Sequence, residues 1–151
     1  MHQPEIFFLD EPTAGVDAVS RREFWQMLYR LNKQGVTVFV STPYMDEAEL
    51  CTRLAFIHHG RIVSCATPQQ LKDQFPHHVL ELHARSKTLH ALLTAVSYID
   101  LNSFGNKYHL VVADPALGEK QIRATLAAAN VEILSLRLIS PSLEDVFVSL
   151  T

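Results

Sequence analysis

No stretch of this sequence approaches the ~20 consecutive apolar residues that a membrane-spanning helix requires, so no such helix is expected. Basic clusters are missing too. Thirteen Lys and Arg against sixteen Asp and Glu leave a net charge of −3 and a pI near 6.2. The basic patch that attracts a phosphate backbone is not there, and no nucleic acid is expected as a partner. Cysteine is scarce: Cys51 and Cys65 are the only two, they form no C-x-x-C pair, and no secretory leader precedes them. That usage argues for a reducing compartment with both thiols buried. None of the eight histidines has metal-ligand spacing, and the pairs His58-His59 and His77-His78 would point to opposite faces of extended chain. Also absent is any G-x-x-x-x-G-K-[ST] loop, the amide cradle and lysine that hold phosphate in many nucleotide-binding sequences.

What is there is the composition of an ordinary globular protein, 48% hydrophobic and 19% charged. A chain of 151 residues can bury about 68–70% of its unfolded surface, enough for one domain or two small ones.

The segment EIFFLDEPTAGVD, residues 5–17, sets the unalternating apolar run Ile6-Phe7-Phe8-Leu9 against Asp10 and Glu11. Such a run reads as a strand buried on both faces, as in a parallel sheet between helices. In open α/β sheets, ligands sit at the carboxyl ends of the strands, which is where the two carboxylates fall. Residues 18–33 follow as an amphipathic helix with Phe24, Met27, Leu28 and Leu31 on its apolar stripe and Gly35 just beyond its end. VTVFVST, residues 36–42, is β-branched and reads as a second buried strand. MDEAEL opens another helix with acids in its first turn, favourable to the dipole. Strand, helix, strand, helix is the order of a parallel α/β sheet. RLAFIHHGRIVSCA then reads as a hairpin, and TPQQLKD as a helix capped by Thr67 and opened by Pro68, before FPHH at 75–78 breaks the pattern.

Taken together, IFFLDEP, AGVD, VFVSTPYMDEAE and HHGRIVSCATPQQL resemble, in one register from residue 4 to about 74, the C-terminal half of an ATP-binding cassette (ABC) nucleotide-binding domain of the exporter or multidrug type. They are similar to the Walker B strand with its glutamate, the D-loop, the switch loop, and the hairpin and helix that commonly follow. The resemblance implies that Asp10 holds Mg²⁺, a hard cation that takes oxygen ligands. It implies that Glu11 orients or deprotonates the attacking water, a role worth about 10²–10⁴ in rate. It places Asp17 at the seam with a second nucleotide-binding domain. ATP and Mg²⁺ are the implied cofactors of a full-length parent, and a transmembrane permease at the inner face of the cell membrane is the further partner, with the subunit peripheral and cytoplasmic.

Two departures qualify that implication. The family's switch histidine falls at Pro43, which offers no side-chain donor and has lost its own N–H. A site built with Pro43 resembles the degenerate member of an asymmetric pair, one that holds nucleotide better than it hydrolyses it. The other departure is that the phosphate loop is missing and MHQPE resembles the run-in to the Walker B strand, so Met1 is expected to be internal to a longer protein.

From Val79 the pattern restarts as strand VLELHA, helix SKTLHALLTAVS, strands YIDLNSF and KYHLVVA about Gly105-Asn106, helix ALGEKQIRATLAAAN and strand VEILSLRLIS. βαββαβ is the order of a ferredoxin-like split unit. The fold class expected is therefore α/β: a partial P-loop NTPase (ABC cassette) parallel sheet over residues 1–76, followed by a small ferredoxin-like accessory domain over 77–151. SPSLEDVFVSL resembles the closing helix after many exporter nucleotide-binding domains. Ser142 and Asp145 form its capping box, and its face of Leu143, Val146, Phe147 and Leu150 is expected to pack within the protein. Two functions compete: part of the ATP-binding subunit of an ABC exporter, or a catalytically inactive regulatory module whose accessory domain mediates assembly.

Overall fold

The computed structural model describes residues 4–86 and 88–151. Met1, with its expected internal position, and Lys87 of the expected helix over 86–97 lie outside the described residues. The chain forms two compact units, residues 1–52 and 53–151.

In the first unit β1 (Ile6–Asp10) runs parallel to β2 (Thr37–Ser41), with Phe8 opposite Phe39 and Asp10 opposite Ser41. The crossover between them is α1 (Ala18–Lys33), whose N-cap Asp17 accepts hydrogen bonds from the Val19 and Ser20 N–H groups at 3.0 and 3.1 Å. Helix α1 packs on β2, but with its stripe turned from the expected one: Trp25 and Leu28 are buried while Met27 is exposed. The apolar run of β1 is likewise not buried on both faces. Alternation within the strand leaves Phe7 and Leu9 half-buried and Ile6 and Phe8 outside. Phe8 is 72% and Phe39 62% exposed, their rings 5.6 Å apart, because one helix covers one face of a two-stranded sheet. Gly35, at φ +91°, releases the chain from α1 into β2 in a conformation that a side chain would oppose. After β2, α2 (Met45–Ala48) makes a single turn. It stops there because the next N–H groups, of Leu50 and Cys51, bond back only three residues, to Glu47 and Ala48.

The second unit begins with the hairpin β3 (Leu54–His58) and β4 (Arg61–Ala66), turned by His59 and Gly60 at φ +46° and +73°. Positive φ at both positions matches the twist of the flanking strands. Next comes α3 (Pro68–Asp73), where Thr67 and Gln70 form a reciprocal capping box. The remaining elements are β5 (His78–Ala84), α4 (Leu89–Leu93), β6 (Asp100–Phe104), β7 (Lys107–Val112), α5 (Pro115–Ala128), β8 (Ile133–Ile139) and α6 (Leu143–Leu150). Four strands form one sheet in the order β6-β7-β5-β8, with every neighbouring pair antiparallel. Its core is built from Leu80 and Leu82 of β5, Leu110 and Val112 of β7, Leu89 and Leu93 of α4, and Ile122 and Leu126 of α5.

Helix α4 is shorter than the expected 86–97 because Thr94 turns its hydroxyl onto the Ala91 carbonyl and β-branched residues follow. Helix α6 does pack within the protein: Leu143 and Val146 are buried, α6 lies on α3, and Phe147 meets Phe56 of β3 at 5.2 Å. Leu150 stays exposed. That contact joins the hairpin and α3 to the second unit, so the compact units divide after Thr52, whereas the sequence pattern restarts at Val79 and the accessory domain is expected to begin at residue 77. The thiols differ from expectation: Cys51 is half-buried, with burial pushing its pKa up, while Cys65 on β4 is exposed. Along a strand packed on one side only, alternate positions necessarily face outward.

Candidate functional site

The carboxyl ends of β1 and β2 bring together Asp10 and Ser41, the last residues of the two strands and partners in register. The Ser41 hydroxyl donates a hydrogen bond to the Asp10 carboxylate. Immediately beyond, the Glu11 N–H donates to the Ser41 carbonyl at 2.9 Å, extending the ladder by one bond. Glu11 itself has φ +43°, a left-handed conformation that costs a non-glycine residue about 1–2 kcal/mol. Reversal at Glu11 ends the strand, and the chain closes into a turn through Ala14 N–H to Glu11 carbonyl and Val16 N–H to Thr13 carbonyl, both 3.1 Å. Both carboxylates are left exposed at the sheet edge.

Asp17, at the start of α1, serves first as its N-cap. Hydrogen bonds from the Ser20 side chain and backbone, with that of Val19, hold its carboxyl below the ordinary range. Pro43 is exposed, two residues beyond Ser41. Its neighbours are tied down: the Tyr44 N–H donates to the Thr42 hydroxyl at 3.1 Å, and that hydroxyl donates to Glu47 at 2.7 Å.

Glu47 is the residue that sequence reasoning missed. As a first-turn acid it reads as a solvated partner of the helix dipole, yet it is 1% exposed. One oxygen accepts from the Thr13 hydroxyl and lies 3.5 Å from Arg21 Nε, while the other accepts from Thr42. Burial pushes its pKa up, but the two hydroxyl donors and the Arg21 charge outweigh that and hold it below the ordinary value. Arg21 in turn lies over the Tyr44 ring at 4.5 Å. A weak signal was present in the sequence: a threonine on each of two loops and an arginine one turn into α1, around one acid.

A second buried carboxylate organises the other unit. Glu81 on β5 receives Arg137 Nε and Nη2 at 2.8 Å and Lys107 Nζ at 3.2 Å. Burial raises its pKa, and these two cations bring it below the ordinary value. His109 stacks on Phe104 at 4.4 Å, its ring nitrogens 3.7 Å from Glu81 and 3.9 Å from the capping Asp145.

Chemically, the β1–β2 edge offers oxygen donors from Asp10, Glu11 and Ser41, which suit a hard divalent cation. No group of three or more His, Cys, Asp or Glu side chains converges on one point among the described residues. No described helix is long and apolar enough to cross a membrane.

Residues 67–151 match the family model described as "ATP-binding protein DrrA1-3-like, C-terminal domain". The chain is 50% identical over 74 residues to the probable multidrug ABC transporter ATP-binding protein YbhF of Escherichia coli, covering 49% of this chain and 13% of that protein. It is 34% identical to the daunorubicin/doxorubicin resistance ATP-binding protein DrrA of Streptomyces peucetius, over 98% of this chain and 47% of that one. The Nod factor export ATP-binding protein I of Rhizobium leguminosarum is also 34% identical, over 100% of this chain and 47% of its own length. The chain thus spans about half the length, or less, of these curated relatives.

Proposed function

Since the chain belongs to the DrrA1-3-like ATP-binding protein family through its C-terminal domain, we propose that it forms part of the ATP-binding subunit of an ABC-type exporter. ATP binding and hydrolysis by that subunit are coupled to transport through a transmembrane permease at the cytoplasmic face. Relatives named for drug resistance and Nod factor export align along nearly the whole chain, in support of this reading. The single observation that carries it at the level of chemistry is the pairing of Asp10 with Ser41 at the carboxyl edge of two parallel strands, with Glu11 next to it.

Within this reading Asp10 holds Mg²⁺ and Ser41 fixes the orientation of its carboxylate. When bound, the ion supplies positive charge at the terminal phosphate oxygens. Glu11, exposed at a left-handed turn directly after Asp10, would supply the carboxylate that accepts a proton from water. Pro43 contributes no donor to the γ-phosphate, so turnover suffers more than binding. Asp17 lies at the seam with a second nucleotide-binding domain. We assign residues 1–76 to the C-terminal half of the nucleotide-binding domain and 77–151 to an accessory domain. The order β6-β7-β5-β8 with antiparallel neighbours supports a ferredoxin-like arrangement for the latter.

Single-turnover ATPase measurements on the full-length subunit test the assignment. Pro43→His should raise hydrolysis about 10–100-fold, since the added donor acts on charge developing in the transition state. Glu11→Gln should remove that gain; a gain that survives the change would leave Glu11 without a role in activating water.

One observation favours the second reading, an inactive regulatory module. The sheet of the second unit has a filled core, whereas the β1–β2 sheet leaves Phe8 and Phe39 in solvent. Under that reading Pro43→His changes nothing, while deletion of 77–151 abolishes assembly with the permease.

A further inference from the structure

The buried carboxylate of Glu47 is shared between two loops. Its Oε1 accepts from Thr13, two residues beyond Glu11, and its Oε2 accepts from Thr42, the residue before Pro43. Thr13 is itself 1% exposed. The loop that leaves β1 and the loop that leaves β2 are therefore joined by the two oxygens of one rigid group. Arg21 Nε, 3.5 Å from Oε1, ties that group to α1.

We infer that Glu47 is a positioning residue: it locks the loop carrying Pro43 in register with the loop that follows Asp10 and Glu11. A carboxylate suits this task because its two oxygens accept simultaneously and both loop partners are donors. The hydroxyl of Thr42 also accepts from the Tyr44 N–H at 3.1 Å. Displacing Glu47 therefore frees the backbone on both sides of Pro43 as well as the turn through Thr13. The consequence for turnover rests on the nucleotide-site reading above; the mechanical coupling of the loops does not.

Two measurements keep these apart. The first is amide hydrogen exchange on the 151-residue chain, with no nucleotide. Thr13→Val, which keeps shape and removes the hydroxyl, should speed exchange at Ala14 and Val16 and also at Tyr44, far away in sequence. Thr13→Ser, which restores the hydroxyl, should return Tyr44 to its original rate. Glu47→Gln should loosen both loops together, and Thr13→Val serves if that variant does not fold. If Thr13→Val leaves Tyr44 unchanged, or the two loops respond independently, the inference is overturned.

The second measurement is single-turnover hydrolysis and ATP affinity in the full-length subunit. Misplacing a catalytic group by about 1 Å can lower a rate up to 10²-fold. Thr13→Val is expected to lower the rate about tenfold with affinity changed less than about twofold, and Thr13→Ser to rescue it. A rate unaltered by Thr13→Val in an active subunit would overturn the positioning role. A subunit that in its wild-type form neither binds nor hydrolyses ATP would instead overturn the nucleotide reading, with exchange still deciding the coupling.

Discussion

Ser41 donates its hydroxyl proton to the Asp10 carboxylate across two parallel strands whose last residues stand in register. A carboxylate held in this way has one oxygen engaged by a donor, which restricts it to an orientation that a freely rotating side chain would occupy only part of the time.

Ser41→Ala should therefore weaken Mg²⁺-dependent nucleotide binding in the full-length subunit. Removing a partner that orients a metal-binding carboxylate costs about 10–100-fold in metal affinity elsewhere. A rise of about tenfold in the Mg²⁺ concentration at half-maximal binding is expected here. The midpoint is read by titrating Mg²⁺ at fixed ATP, and an unchanged midpoint would remove Asp10 from the metal site.

Acid should weaken both units. Glu47 and Glu81 are each held below the ordinary glutamate value of 4.5 by their partners. Their contribution is fully present above that value and is lost as pH falls through their folded pKa values. Trp25, the single tryptophan, is buried in the first unit and reports on it alone. Urea midpoints followed by its fluorescence should fall below about pH 4.5, and Glu47→Gln should flatten that slope while lowering stability at neutral pH. An equal slope in the variant would show that other carboxylates govern the acid limb.

Gly118 sits on α5 where the helix approaches the sheet. A Cβ there would lie 3.1 Å from both Leu80 Cδ1 and Val112 Cγ1, two buried core side chains. Alanine would add about 1 kcal/mol of helix propensity, but overpacking a filled core costs about 1–3 kcal/mol. Val112 is β-branched and fixed on a strand, so it cannot easily yield. Gly118→Ala should be net destabilising by about 1 kcal/mol, measured as a lowered unfolding midpoint of the second unit; a raised midpoint would mean that α5 has room to lift.

The outward face of β1 and β2 should make the chain self-associate. Phe8 and Phe39 pack against each other at a tilt while more than half exposed, and an apolar patch beside open strand edges is a template for pairing. Sedimentation of the wild-type chain should show mass rising with concentration. Phe8→Glu with Phe39→Lys should restore the monomer, and a double variant that still associates would place the contact elsewhere.

The sequence makes much of this arrangement legible where local chemistry decides. Gly60 after two histidines announces the hairpin, Thr67-Pro68 opens α3, and Ser142 with Asp145 caps α6; each depends on a few adjacent residues, and each is found. What it hides is burial set by distant partners. The run Ile6-Phe7-Phe8-Leu9 looks uniformly buried because hydrophobicity records a residue's preference and not how many layers lie over it. Trp25 replaces Met27 on the inner face of α1 because the helix rotates to suit β2, which a helical period alone cannot specify. Glu47 is masked for the same reason: its donors come from loops beginning far apart in the chain, and an acid in a first helical turn already has a satisfactory local explanation. Asp10, Glu11, Asp17 and Pro43 were found through the resemblance of their motifs, and their roles stand as proposals.

The meeting of Phe56 with Phe147 bears on how the chain is made. Phe56 belongs to the first strand of its unit and Phe147 to the last helix, so the hairpin leaves the ribosome long before the surface that covers it exists. At about 5–20 residues per second the hairpin waits several seconds with its aromatic side chain uncovered. The hairpin can thus be covered only once α6 has emerged. A stop placed before α6 would release a polypeptide with its sheet largely intact and its hairpin loose, a ready substrate for quality-control proteases.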